Sequence, residues 1–579
     1  MTTVDQTGFF QDGPRLRDEW EDDLALQRYL ERVVPADVRA EITPSLAEMG
    51  HLAANELFDL SNEMNRRENE PRLVQFDEWG RRIDRIETAP QWDAIGRVAA
   101  EKGVVATGYE RQHGEFSRVH QFALAYLYGP SSALYSCPLA MTDGAAKALL
   151  VHGDQDLVDR ALPLLTSRDP ETFWTSGQWM TERPGGSDVG LTETVAVKNG
   201  GDTWRLSGTK WFTSAITADM ALTLARPEGN SPGGRGLAMY YLEVYDESGR
   251  LNNIRVLRLK DKLGTRQMPT AELALDGTIA RLVGPPNNGT KNITPMLMLT
   301  RMWNSVIAAS GMRRGLALAR DYATRRVAFG HRLVDQPLHQ ATMAELRVFH
   351  EAALQHAFRA VELLGREEAG VATDAEKLVL RIMLPMTKLL TGKQAIAAAS
   401  EALEAFGGNG YIENTHIPVL LRDAQVLPIW EGTTNVLSLD TLRATERENA
   451  LAPLLEEIRT QAQRATHGAL AAVGKGAIAA AEHAAAWVTE ATAGPGTAAV
   501  QHGARRWAMT LGRAHQAALV AAQAQHDLDV HADARAAAVA VRFARQGLDL
   551  LETAGAWQPA DAALTVDARL DPSALAEAD

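Results

Sequence analysis

The chain has 579 residues, is 45% hydrophobic and 23% charged, and carries a net charge of -14. That length exceeds a single hydrophobic core and predicts three or four domains, while the acidic balance argues against a polyanion as the main partner. A lone cysteine, Cys137, excludes an intrachain disulfide framework and argues against a cysteine-based metal site. It sits in an apolar stretch and reads as a small buried hydrophobe. Residues 1–23 are acidic and lack the basic and apolar regions of a secretory signal. No run of about 18 apolar residues predicts a membrane span, and a cytoplasmic protein is expected.

Residues 1–174 read as a helical domain, with apolar residues at three- and four-residue spacing over 24–34 and 46–60. A strand-like insert is expected at 71–85, and helical patterning resumes at Trp92 and runs through 123–128 and 145–151. The period then changes. Four strands are expected near 204–212, 221–225, 237–244 and 271–275, separated by Gly/Pro/Asn-rich turns, and together they predict a small β-barrel or sandwich over 175–290. From 291 to 446 long helical stretches at 302–328, 336–368 and 378–406 predict a helix bundle. The third stretch contains Pro385, expected to kink it, and ends at the C-cap signal Gly407-Gly408. Residues 447–579 form an alanine-rich helical tail, divided at Gly494-Pro495-Gly496. The fold class is therefore mainly α with a central β-barrel, and no internal repeat is present.

Five short stretches carry chemistry. In Trp179-Met180-Thr181-Glu182-Arg183-Pro184-Gly185-Gly186-Ser187-Asp188, paired glycines let backbone N–H groups approach a phosphate or ring, and Thr181 and Ser187 can donate to it. Alone it reads equally as a surface turn. Lys210-Trp211-Phe212-Thr213-Ser214 puts aromatics and hydroxyls on one strand, suited to a flat ring or to core packing. Arg325-Arg326-Val327-Ala328-Phe329-Gly330 suits a pyrophosphate or a solvated helix face. Phe406-Gly407-Gly408-Asn409-Gly410 suits a nucleotide or a helix cap. Last, Ile429-Trp430-Glu431-Gly432-Thr433-Thr434-Asn435 sets a carboxylate between an indole and a glycine, read either as a catalytic base or as a helix-start glutamate.

Taken together and in this order, the stretches resemble the acyl-CoA dehydrogenase family over about residues 10–445, and within it the AidB-like branch. The finer likeness rests on residues 258–264, the Arg81-Arg82-Ile83-Asp84-Arg85 insert and the Ile-Trp-Glu-Gly wording of the last motif. The resemblance implies FAD as cofactor. It implies that Met180 and Thr181 bond the flavin ring, that Gly186 and Ser187 lie near the pyrophosphate, and that Trp211, Phe212 and Thr213 lie along the isoalloxazine. Arg326, Phe329, Phe406, Gly407 and Gly408 match positions that reach the FAD of a neighbouring subunit, which implies a homodimer or homotetramer. Thr433 and Asn435 match cofactor contacts after the base, and Ser187 and Gly432 match substrate contacts; no metal is implied. Glu404, Ala328 and the displaced Pro184 depart from the common family wording.

The implied reaction is α,β-dehydrogenation of an acyl-CoA thioester, with Glu431 as α-proton base and flavin N5 as hydride acceptor. In the family, a backbone N–H at the base and the flavin ribitol polarise the thioester carbonyl. Some relatives carry the base at the start of the first bundle helix; that place falls near Thr300, beside Arg301, with no carboxylate, so Glu431 is the candidate. Electron-transferring flavoprotein is the implied acceptor. Two rival readings follow from the same fold. One is an AidB-like DNA-binding flavoprotein acting in alkylation-damage protection, for which the tail offers Arg505, Arg506, Arg513, Arg535, Arg542 and Arg545. Against it, residues 451–579 hold ten Lys/Arg and fourteen Asp/Glu. The other is a flavin oxidase of nitroalkane-oxidase type, whose relatives tend to carry aspartate as base.

Overall fold

The computed structural model describes residues 12–572; readings made for residues 1–11 and 573–579 lie outside the described residues. Eight helices open the chain: α1 (Leu24–Val33), α2 (Ala36–Ala54), α3 (Glu56–Met64), α4 (Pro90–Glu101), α5 (Ala106–Glu110), α6 (Ser117–Tyr128), α7 (Ser136–His152) and α8 (Gln155–Leu165). Between α3 and α4 the expected insert is an antiparallel hairpin, β1 (Arg72–Phe76) with β2 (Arg82–Glu87). Asp23 caps α1 by accepting from the Leu26 N–H. Its other oxygen takes the Tyr126 hydroxyl at 2.8 Å, so this cap is buried and fully bonded.

Seven strands follow: β3 (Ser176–Trp179), β4 (Val195–Gly200), β5 (Thr203–Ser214), β6 (Met220–Pro227), β7 (Ala238–Glu243), β8 (Ile254–Leu259) and β9 (Thr270–Val283). The pairings β6–β4, β4–β5, β5–β9, β9–β7 and β7–β6 close a barrel. Its interior is filled by Leu206, Tyr240, Leu242, Val256, Leu273 and Trp179, all nearly inaccessible. Only four of these strands are legible as such in the sequence. β3 is Ser-Gly-Gln-Trp, which has no β-branched residue, and it exists because it pairs in parallel with β6 and ties its Ser176 N–H to Thr142 of α7. β8 alternates Ile254 and Val256 inward and is held by β9.

After the short α9 (Gly289–Asn292), three long helices form the bundle: α10 (Thr294–Arg325), α11 (Pro337–Glu368) and α12 (Asp374–Glu404). α12 starts at a full capping box between Thr373 and Glu376. Pro385 does not end it; the helix continues for nineteen residues beyond, stabilised by packing on both neighbours. α13 (Ile417–Ala424) leads into the loop bearing Glu431, and α14 (Thr434–Glu448) completes the bundle. The tail is α15 (Leu451–Gln463), α16 (Gly468–Ala493), α17 (Thr497–His531), α18 (Arg535–Arg545) and α19 (Gln558–Thr565). The turn at Gly494-Pro495-Gly496 separates α16 from α17 as expected. α17 lies so close to α12 that a Cβ at Gly512 would collide with Leu390. No helix among the described residues is long and apolar enough to cross a membrane.

Candidate active site

Glu431 lies in the loop between α13 and α14, with its backbone in the left-handed region at φ +56°; Gly432 follows at φ +104°. A non-glycine residue there is strained and is retained only where its surroundings hold it. Those surroundings come from three elements. From β3, the Gln178 amide donates to both carboxylate oxygens, at 3.2 and 3.5 Å. From α10, the Thr300 hydroxyl donates to Oε2 at 2.7 Å, and Arg301 Nε donates to the main-chain oxygen of Glu431 at 3.2 Å. From α12, the Lys388 ammonium donates to the carbonyls of Trp430 and Gly432, each at 2.6 Å. The Trp430 indole N–H donates to Asn304. Glu431 therefore points at the barrel end of β3.

Electrostatics reinforce this geometry. Burial lowers the Lys388 ammonium to about 7, partly opposed by Glu431. Burial alone would raise the Asp440 carboxyl, but Arg301 and Arg381 outweigh it and hold it low. The Arg301–Asp440 contact is 2.7 Å, so Arg301 is fixed from behind while it grips the loop. Cys137 is buried as expected, and burial, with Glu431 nearby, pushes its thiol up to about 12, which leaves it inert as a nucleophile.

The glycine-rich loop begins where β3 ends. Met180 packs by its sulfur against the Gln178 amide at 3.6 Å, so the first motif abuts the base. The loop root is anchored by buried Glu182, which takes Lys210 Nζ at 2.7 Å and the Glu193 N–H at 2.7 Å. Beyond that root Gly186 and Ser187 are exposed, with Gly186 so close to Thr181 that a Cβ would sit 2.6 Å from its hydroxyl. On β5, Phe212 is 52% exposed. Lys260 lies over both neighbouring rings, its nitrogen 3.7 Å from the Trp211 centroid and 4.6 Å from that of Phe212. Thr213 corrects the expectation made for it: it is fully buried inside the barrel, and its hydroxyl donates to Ala271 O at 2.7 Å. A bulge between Lys210 and Thr213 shifts the register, and Ser214, not Thr213, stands accessible beside Phe212.

The third group lies elsewhere. Arg326, Phe406, Gly407 and Gly408 line a recess of about 550 Å³ with Tyr322, Glu401 and Glu404. Phe329, at the tip of a two-residue hairpin, is 97% exposed with φ +52°. Thr300 and Arg325 lie near opposite ends of α10, roughly 37 Å apart along its axis. Within one chain, then, the structure gathers Glu431, Gly432, Met180, Thr181, Gly186, Ser187, Phe212, Thr433 and Asn435 about one end of the bundle. It sets Arg326, Phe329, Phe406, Gly407 and Gly408 at the other. Sequence reasoning missed Gln178 and Lys388, and it noted Thr300 only for lacking a carboxylate. None of the three carries a local motif.

A second cavity, of about 490 Å³, runs along α10 from Ala308 and Gly311 to Tyr322, with Ala133, Ala424, Leu427 and Phe406 in its wall. Gly311 faces open space, since a Cβ there would meet nothing within 4 Å. The donor set beside Glu431 fits a flavin dinucleotide. It has a half-exposed ring at Phe212, an exposed hydroxyl at Ser187, an exposed Gly185-Gly186 turn, and a buried Gln178 Oε1 with no hydrogen-bond partner among the described residues.

Three family descriptions match the chain in succession: the AidB adaptive response protein N-terminal domain at 14–171, the acyl-CoA dehydrogenase middle domain at 177–278, and its C-terminal domain at 287–445. Acyl-CoA dehydrogenase family member 11 of Caenorhabditis elegans is 47% identical over 454 residues, covering 77% of this chain and 73% of that protein. The crystal structure of C. elegans ACDH-11 in complex with C11-CoA superposes with a TM-score of 0.93 at 40% identity, over 97% of both chains. Bd2924 in its apo form matches with a TM-score of 0.82 at 46% identity, over 89% of this chain and all of that one.

Proposed function

We propose that this chain, which belongs to the acyl-CoA dehydrogenase family, is an FAD-dependent enzyme that introduces an α,β double bond into an acyl-CoA thioester. The observation that carries this reading is the Glu431 carboxylate, held by Gln178 of β3 and Thr300 of α10. Glu431 takes the α-proton onto its carboxylate. Two neutral donors orient that carboxylate without neutralising it, which keeps it a base. Trp430, half-buried and tethered to Asn304, walls the site from water. Among the described residues the Glu431 N–H has no acceptor, so it is available to polarise the thioester carbonyl as negative charge develops there. Met180, Thr181, Gly186, Ser187, Phe212 and Ser214 would hold the cofactor, with Thr433 and Asn435 flanking it. FAD, when bound, supplies the acceptor for the β-hydride.

The acyl chain is assigned to the 490 Å³ cavity, whose small wall residues Ala308 and Gly311 leave room for methylenes. Assembly is part of the proposal. Arg326, Phe329 and the Phe406-Gly407-Gly408 turn cannot reach a cofactor at Glu431 of the same chain, and they serve the site of a second copy in a homodimer or homotetramer. Electron-transferring flavoprotein is the proposed acceptor in a cytoplasmic setting. The division at residues 174, 290 and 446 into helical, barrel, bundle and tail domains is proposed with it.

The DNA-binding reading loses its main residues to internal contacts. Arg535 pairs with Glu351, Arg542 contacts Glu345 at 2.9 Å, Arg506 contacts Glu552 at 3.2 Å, and Arg513 donates to Gly547 O at 2.7 Å. These contacts dock α18 onto α11 and close the tail on itself, engaging four of the six arginines that the DNA-binding reading relies on. Anaerobic titration of the holoenzyme with acyl-CoA thioesters of graded chain length tests the main reading. Flavin bleaching supports it; a flavin untouched by every thioester overturns it. Rapid reoxidation by O₂ would favour the oxidase reading, and a salt-dependent gel shift the DNA reading.

A further inference from the structure

Lys388 is a buried lysine on α12 with no carboxylate in salt-bridge contact among the described residues. It spends its hydrogen bonds on backbone: the carbonyls of Trp430 and Gly432, at 2.6 Å each. Arg301 Nε takes the carbonyl between them. Three consecutive carbonyls, 430, 431 and 432, thus turn toward cations on the bundle side. In a trans peptide the C=O and the following N–H point in opposite directions. Holding the Trp430 oxygen on Lys388 therefore turns the Glu431 N–H away from the bundle, and holding the Glu431 oxygen on Arg301 does the same for the Gly432 N–H. The grip also fixes the left-handed backbone at Glu431 and Gly432, which an unrestrained loop would leave. One turn along α12, Gly392 lets the chain at Leu427-Pro428 pass in close contact, so α12 meets the loop over two successive turns.

We propose that Lys388 is a positioning residue for the base: by clamping the carbonyls on both sides of Glu431 it aims the carboxylate at the α-carbon and the Glu431 N–H at the thioester oxygen. This rests on the dehydrogenase reading above. The groups facing Lys388 are Glu431 on the loop, Arg301 on α10, and Asp440 on α14, which balances Arg301. Burial brings the ammonium down to about 7. The charged, gripping form predominates below that pH and is lost as pH rises through it, so turnover falls on the alkaline side.

The test compares holoenzyme with Lys388→Met and Lys388→Arg. Bleaching of the wild-type flavin by a thioester first secures the dehydrogenase reading on its own; its absence sinks that reading and leaves Lys388 without a base to position. Given bleaching, Lys388→Met is expected to keep FAD and lose about tenfold or more in kcat with KM within about twofold. Amides of the 428–434 segment should exchange faster with solvent than in wild type. Lys388→Arg, which keeps the cation, should retain more turnover and move the alkaline limb to higher pH. Unchanged kcat and unchanged loop exchange in Lys388→Met overturn the proposal. Where Lys388→Met does not fold, an alkaline limb left at its wild-type position in Lys388→Arg overturns it instead.

Discussion

The two ends of α10 differ in how completely one chain furnishes them. At the Thr300 end, the Glu431 carboxylate and all three carbonyls around it have partners from β3, α10 and α12. At the Arg325 end, Phe329 is 97% exposed and the glycine turn at 407–408 lines an open recess. An aromatic ring in water at a left-handed backbone position gains nothing from its surroundings. On the proposed reading, the contrast separates chemistry that one chain furnishes from cofactor retention that two copies share.

Replacing Glu431 strikes the furnished end hardest. Glu431→Gln keeps volume and one acceptor oxygen but removes the base, so FAD should stay bound while thioester-dependent flavin reduction falls roughly 10²-fold or more. Stopped-flow absorbance reads this, and normal reduction would refute the assignment. The open end is next. Phe329→Glu should lower bound FAD per chain and shift the oligomer toward monomer in light scattering, with a fall of about tenfold in cofactor affinity, roughly 1.4 kcal/mol. If occupancy and mass are both unchanged, the recess serves no second copy. Filling the cavity proposed for the acyl chain is subtler. Gly311→Leu should move the preferred thioester to shorter chains, with the longest substrates losing kcat/KM by roughly 1–3 kcal/mol; a uniform loss across lengths would detach that cavity from the site. Smallest is Thr300→Val, which deletes one of the donors to Glu431 and should cost about 1 kcal/mol in transition-state stabilisation with folding intact. A variant as fast as wild type would leave Gln178 as the sole orienting side chain.

The tail gives a further contrast with the site. Its arginines were legible as a charged face, yet Arg535 and Arg542 are committed to Glu351 and Glu345 on α11. A helical period shows which residues share a face, but it does not show what covers that face.

Much was legible from residue order alone. The 3.6-residue period placed α10, α11 and α12; alternation with Gly/Pro turns placed the barrel; and Trp-Glu-Gly singled out Glu431. Each of these is a local signal, set by neighbours within a few positions. The tertiary structure alone decided that Gln178, Thr300 and Lys388, which stand 253, 131 and 42 or 44 positions from their loop partners, meet at one turn. It also decided that a bulge turns Thr213 into the barrel and leaves Ser214 accessible. Contacts between distant segments follow from how helices and strands pack, and packing leaves no period in the chain for them to be read from.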